Sequence, residues 1–158
     1  MMKQRYFLTI MLLALTFFSG CSVLQRPPLS AERLVITYGS KACFGQCPEM
    51  SVILNGDGRM TLQGNAYVDK IGAYHKQVPE SSMRDFIKEL EESAFFDLPS
   101  QPDTEYPDGA YQSMYIQLDD RSHTVEVRGE APPAFNRVRS FIYQQVQGTG
   151  WAALDQDP

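Results

Sequence analysis

The tetrapeptide Asn55-Gly56-Asp57-Gly58 lies between two runs in which every second residue is apolar. Asn, Asp and Gly tolerate the positive φ that a tight hairpin turn demands. Met50, Val52 and Leu54 face one way before the turn, and Met60 and Leu62 face that way after it. A period of two marks a strand with one buried face. Two such strands joined by so short a turn must pair antiparallel. The pattern recurs further on. Tyr111 to Leu118 turns Met114, Ile116 and Leu118 inward, Asp119-Asp120-Arg121-Ser122 reverses the chain, and His123 to Arg128 returns with Val125 and Val127 inward. Arg33 to Gly39 is a further strand, carrying Leu34, Ile36 and Tyr38, and Ala66 to Val78 is a weaker one interrupted by Gly72.

The period changes twice. Between Pro79 and Leu98, residues Met83, Phe86, Ile87, Leu90 and Ala94 form an apolar helical stripe, with Ser82 and Asp85 placed as an N-terminal cap pair. Glu89, Glu91 and Glu92 fall off that stripe and read as a solvated face. Pro132 and Pro133 fit the first turn of a second helix, whose buried face would hold Phe135, Val138, Phe141, Ile142 and Val146. Strands, helix, two strands, helix is the order of an α+β domain. The expectation is an antiparallel sheet of about five to six strands with two amphipathic helices packed on one face.

The whole chain of 158 residues fits one such domain plus a leader. Its 14 Lys and Arg against 19 Asp and Glu leave a formal charge of −5, with no basic cluster. Nucleic acid, which requires clustered cations, is not an expected partner.

The leader is residues 1–20. Lys3 and Arg5 precede the uncharged run Tyr6 to Phe18. That run spans only ~20 Å as a helix, short of the ~30 Å hydrocarbon core of a bilayer. A basic start, a short apolar stretch and small residues at its end make a signal peptide. The segment Phe18-Ser19-Gly20-Cys21 resembles the lipobox of bacterial lipoproteins, with Phe18 where that family most often has Leu. The resemblance implies cleavage before Cys21 and lipid attachment to its sulfur, which anchors the chain to a membrane. Ser22 lies where Asp is the usual signal for inner-membrane retention in Gram-negative lipoproteins. The expected location is therefore the outer membrane, facing the periplasm, if the source is Gram-negative. Residues 21–32, with Pro27 and Pro28, read as the lipidated cysteine and a tether. Residues 33–147 form the domain, and 148–158 read as a loose tail.

Cys43 and Cys47 remain once Cys21 is assigned to lipid. An even pair in an oxidising compartment favours a disulfide. Closing this five-residue loop contributes about 2 kcal/mol on chain-entropy grounds. Two other readings stand beside the structural staple. A redox-active pair normally has two intervening residues, whereas Phe44-Gly45-Gln46 supplies three. A metal site would have to recruit His75 and His123. Neither metal nor cofactor is expected. Asp103, Glu105 and Asp108 form an acidic loop that fits no EF-hand spacing.

The stretch from Tyr38 to Pro48, with Cys43-Phe44-Gly45-Gln46-Cys47-Pro48 at its heart, is followed by Met50 to Leu54 and the Asp57-Gly58 turn. It resembles a family of uncharacterised bacterial exported and lipid-anchored domains that carry a Cys-aromatic-Gly-x-Cys-Pro motif. The resemblance covers Leu34 to Val146. That family is a domain of unknown function, so it implies architecture and no activity.

A disulfide across four positions forces a tight bend, which Gly45 relieves, and Pro48 fixes the exit. Phe44 then either tucks into the sheet, with Gln46 in water, or projects with Gln46 from a rigid tip as a preorganised contact loop of Phe44, Gly45, Gln46 and Pro48. The sequence contains no nucleophile elbow, phosphate loop or metal-binding helix. The expected function is a non-catalytic binding domain for an envelope protein or cell-wall component. The alternative is a periplasmic thiol protein using Cys43 and Cys47.

Overall fold

A computed structural model of the protein describes residues 33–103 and 109–154. The leader, Cys21, the tether, Glu105, Asp108 and residues 155–158 lie outside the described residues. Among the described residues, seven strands form one sheet in the order β6-β5-β1-β2-β3-β4-β7. The strands are β1 (Leu34–Ser40), β2 (Glu49–Asn55), β3 (Arg59–Ala66), β4 (Gly72–Gln77), β5 (Tyr111–Leu118), β6 (Arg121–Arg128) and β7 (Ala152–Ala153). Every neighbouring pair is antiparallel. Helices α1 (Glu80–Glu92) and α2 (Pro133–Gln147) complete the α+β fold.

Both predicted hairpins form. Gly58 N donates to Asn55 O at 2.9 Å, and Gly58 itself has φ +83°, the conformation its missing Cβ permits. Asp119, at φ +54°, starts the two-residue turn between β5 and β6. β1 then inserts between the hairpins, pairing Ile36 with Leu54 on one side and with Ile116 on the other.

Alternation puts Leu34, Ile36, Tyr38, Val52, Leu54, Met60, Leu62, Met114, Ile116, Val125 and Val127 on one face, all buried in a single core. Met83, Phe86, Ile87 and Leu90 of α1, and Phe135, Val138, Ile142 and Val146 of α2, close over that face. Phe86 stacks on Phe141 at a centroid distance of 4.2 Å where the helices meet. Among the described residues, no helix covers the opposite face. Several of its side chains, among them Thr37, Ser51, Ile53 and Thr124, are exposed.

The strand count exceeds the expected five to six because residues 151–153, read from the sequence as part of a loose tail, are held against the domain. Ala152 and Ala153 pair with His75 and Tyr74 to make β7, and Trp151 packs against the core. The last turn of α2 explains why. Lys76 Nζ donates to Gln145 O at 2.6 Å, Trp151 Nε1 donates to the same oxygen at 3.2 Å, and Lys70 Nζ donates to Val146 O at 3.1 Å. Carbonyls at a helix C-terminus lack intrahelical partners and carry partial negative charge, so two lysines and an indole stabilise this end.

Two helix details also differ from the sequence reading. α1 begins at Glu80, with Pro79 at the N-cap, so Ser82 lies inside the helix and does not cap it. Ala94 leaves the stripe at φ +57°, ahead of a 3-10 turn at Phe95–Asp97 that buries Phe95 instead. The segment after that turn shields the outer edge of the sheet. Glu126 N of β6 donates to Ser100 O at 2.8 Å, and His123 Nε2 meets Leu98 O at 2.7 Å. A covered edge cannot template pairing with another chain.

Candidate functional site

The turn between β1 and β2 carries the cysteine pair, and both of its ends are fixed. Lys41 N donates to Tyr111 O at 3.0 Å, carrying the β1–β5 ladder one residue beyond Ser40. Ser40 is buried, and its hydroxyl donates to Pro48 O at 2.7 Å, bridging the start of the loop to its exit. Between those points Cys43 and Cys47 form a disulfide with a Cα–Cα distance of 5.7 Å, an ordinary span for the bond. Paired to each other, the two sulfurs offer no thiolate for attack or metal binding.

A polar network underlies this end of the sheet. The Tyr38 hydroxyl donates to Gln112 Oε1 at 2.9 Å, Arg139 Nη1 donates to the same oxygen at 3.1 Å, and the Tyr143 hydroxyl lies 3.4 Å from that of Tyr38. Burial, reinforced by Tyr143, holds the Tyr38 phenol well above its ordinary pKa. It therefore stays a neutral donor. The network ties α2 to β1 and β5 directly below the loop, so the loop stands on a hydrogen-bonded base.

On that base the loop presents its side chains outward. Phe44 is 97% exposed, and Gly45 and Gln46 are exposed beside it. Pro48 is half-buried where the chain returns to β2. The reading in which Phe44 tucks into the sheet is thereby corrected. The inward positions flanking the loop are already filled by Ser40 and Met50, and a five-residue ring has no slack to fold its ring side chain back under itself.

The other singled-out residues do not converge. His75 is on β4 and His123 on β6, five strand spacings apart in the sheet and on opposite faces. At about 4.8 Å per spacing, that is on the order of 24 Å. Among the described residues, no group of three His, Cys, Asp or Glu side chains is placed to hold a metal ion.

A cluster that sequence reasoning missed borders the loop on the open face. Lys41 Nζ lies 5.1 Å from the centroid of the Tyr111 ring, and Arg128 Cζ lies 5.4 Å from it. Tyr111 and Arg128 are direct cross-strand partners. Strand pattern placed both residues on strands, but only the register brings them together with Lys41. The Tyr38–Gln112–Arg139–Tyr143 network escaped for the same reason.

A family model described as a domain of unknown function, DUF6438, matches residues 34–146, from the first residue of β1 to the last turn of α2. No curated protein matches the chain.

Proposed function

The chain belongs to the DUF6438 family of domains of unknown function, and on that premise we propose that it is a lipid-anchored protein of the bacterial cell envelope whose disulfide loop binds a protein or cell-wall partner without catalysis. The observation that carries this reading is Phe44. A large aromatic 97% exposed at the tip of a closed loop costs solvation and contributes nothing to the core. Burying such a side chain in a partner contributes about 1.5–3 kcal/mol. The disulfide and the Ser40–Pro48 hydrogen bond order the tip in advance, so little entropy is lost on binding.

The anchor rests on residues 1–21: the basic start, the short apolar run and Cys21 after Ser19-Gly20. Several acyl chains at Cys21 would hold the chain on the membrane almost permanently, at about 0.8 kcal/mol per buried methylene. With Ser22 next to that cysteine, the outer membrane facing the periplasm is the location we assign in a Gram-negative source.

The test is partner capture. Phe44→Ala and Gln46→Ala should reduce the crosslinked partner recovered from intact cells while leaving the melting temperature unchanged. Undiminished crosslinking by both variants would remove the loop from the interface.

A further inference from the structure

We infer that Lys41, Tyr111 and Arg128 form an anion-recognising subsite beside the disulfide tip, and that the segment it takes from the partner is an acidic peptide. This inference rests on the loop being the contact site and names the chemistry of what it contacts.

Three observations carry it. The two cations are exposed, yet both are held against the half-buried Tyr111 ring, at 5.1 and 5.4 Å from its centroid. A cation resting on an aromatic face keeps its charge and its donors while its long side chain loses freedom beforehand. Second, among the described residues the ion pairs engage Arg33, Arg59, Arg84 and Arg121, and neither Lys41 nor Arg128 takes part. The Glu126 carboxylate accepts from Gln101 Nε2 at 3.2 Å and also faces Tyr111, whose phenol pKa is pushed up by burial and then by Glu126, so one carboxylate against two cations leaves the cluster net positive. Third, the cluster adjoins Phe44, because Lys41 is two residues before Cys43. An apolar tip beside two ordered cations complements a segment carrying an apolar residue and carboxylates.

The chain's overall charge of −5 does not oppose this. Exposed charges are screened beyond about 8 Å at physiological ionic strength, so the cluster sets the potential at contact. An anionic bilayer is the competing occupant, and the vesicle arm of the experiment distinguishes it from the acidic peptide.

The experiment uses the full lipidated chain in phosphatidylcholine vesicles and a fluorescent deca-glutamate peptide as probe, read by anisotropy. The peptide should bind in a salt-sensitive manner, and Lys41→Gln with Arg128→Gln should weaken it about tenfold. Arg59→Gln, which alters an exposed cation elsewhere, should leave it unchanged. Phe44→Ala should retain peptide binding even though it loses the natural partner, which separates this inference from the loop reading. Equal binding by the Lys41 and Arg128 double variant, or no binding by the unaltered chain, would overturn the subsite. Bridging to protein-free phosphatidylglycerol vesicles without peptide binding would overturn the acidic-peptide assignment.

Discussion

The Ser40 hydroxyl donates to the Pro48 carbonyl at 2.7 Å, closing the same turn that the Cys43–Cys47 disulfide closes one step further out. The loop is therefore held twice, once covalently and once by a hydrogen bond made on the buried side of the sheet. Reducing the disulfide should lower unfolding stability by about 2 kcal/mol. Ser40→Ala, with the disulfide intact, should lower it by about 1 kcal/mol. Urea midpoints with and without reductant measure both. A pair that opens in mild reductant with no loss of stability would instead favour thiol chemistry at these cysteines.

Tyr38 gives the fold a signature in alkali. An unfolded tyrosine loses its proton near pH 10.0, whereas burial keeps Tyr38 protonated above that value. The folded chain then binds more protons than the unfolded one, so this contribution is complete below pH 10.0 and declines as pH rises further. Lys76, whose pKa is lowered by burial and then by Lys70, slopes the other way up to 10.5 and is common to the chains being compared. Tyr38→Phe removes only the first effect. Between about pH 9 and 11 its urea midpoint should fall less than that of the unaltered chain. Parallel falls would contradict the assignment.

Trp151 pins the segment after α2. Its indole N–H reaches Gln145 O, and its ring lies 5.1 Å from Lys76 Nζ. Trp151→Ala removes a hydrogen bond, a cation–π contact and apolar packing together, for a loss of about 2 kcal/mol. Thermal melts in a single buffer test it, and an unchanged melting temperature would mean that β7 contributes nothing to the fold.

The elements that could be read in advance are those defined by neighbours in sequence. Met60 and Leu62 needed only the Asn55–Gly58 turn to be placed, and Phe86 and Leu90 needed only their spacing. Trp151 was illegible because its partners, Lys76 and Gln145, lie on two different elements. Ala94 shows another limit. It continues the apolar period, but α1 ends where Ser93 Oγ donates to Leu90 O, and Phe95 takes the buried position. At the candidate site the cysteine pair and Phe44 were visible as a motif, and the loop's rigidity followed from its size. The cluster at Tyr111 depended on β1 inserting between two hairpins, which no local pattern encodes.

Gly64 marks a close approach of backbone to backbone. A Cβ there would collide with the carbonyl oxygen of Lys70 and press on Val68 at 2.9 Å. Backbone cannot swing aside as a flexible side chain can, so Gly64→Ala should cost about 1–3 kcal/mol. It should also displace Lys70, whose amine meets Val146 O at the end of α2. Denaturant unfolding measures the loss, and a variant as stable as the parent would contradict the approach.

The contact role of the disulfide tip is tested most directly by placing a photo-crosslinking phenylalanine analogue, which keeps the aromatic ring, at position 44 in the full chain and irradiating intact cells. Position 67 serves as the control, since Tyr67 is 58% exposed on the β3–β4 connection. One discrete crosslinked product is expected from position 44, lost when Cys43 and Cys47 are replaced by serine, and none of the same mass from position 67. No product from position 44, or the same product from both positions, would contradict that role.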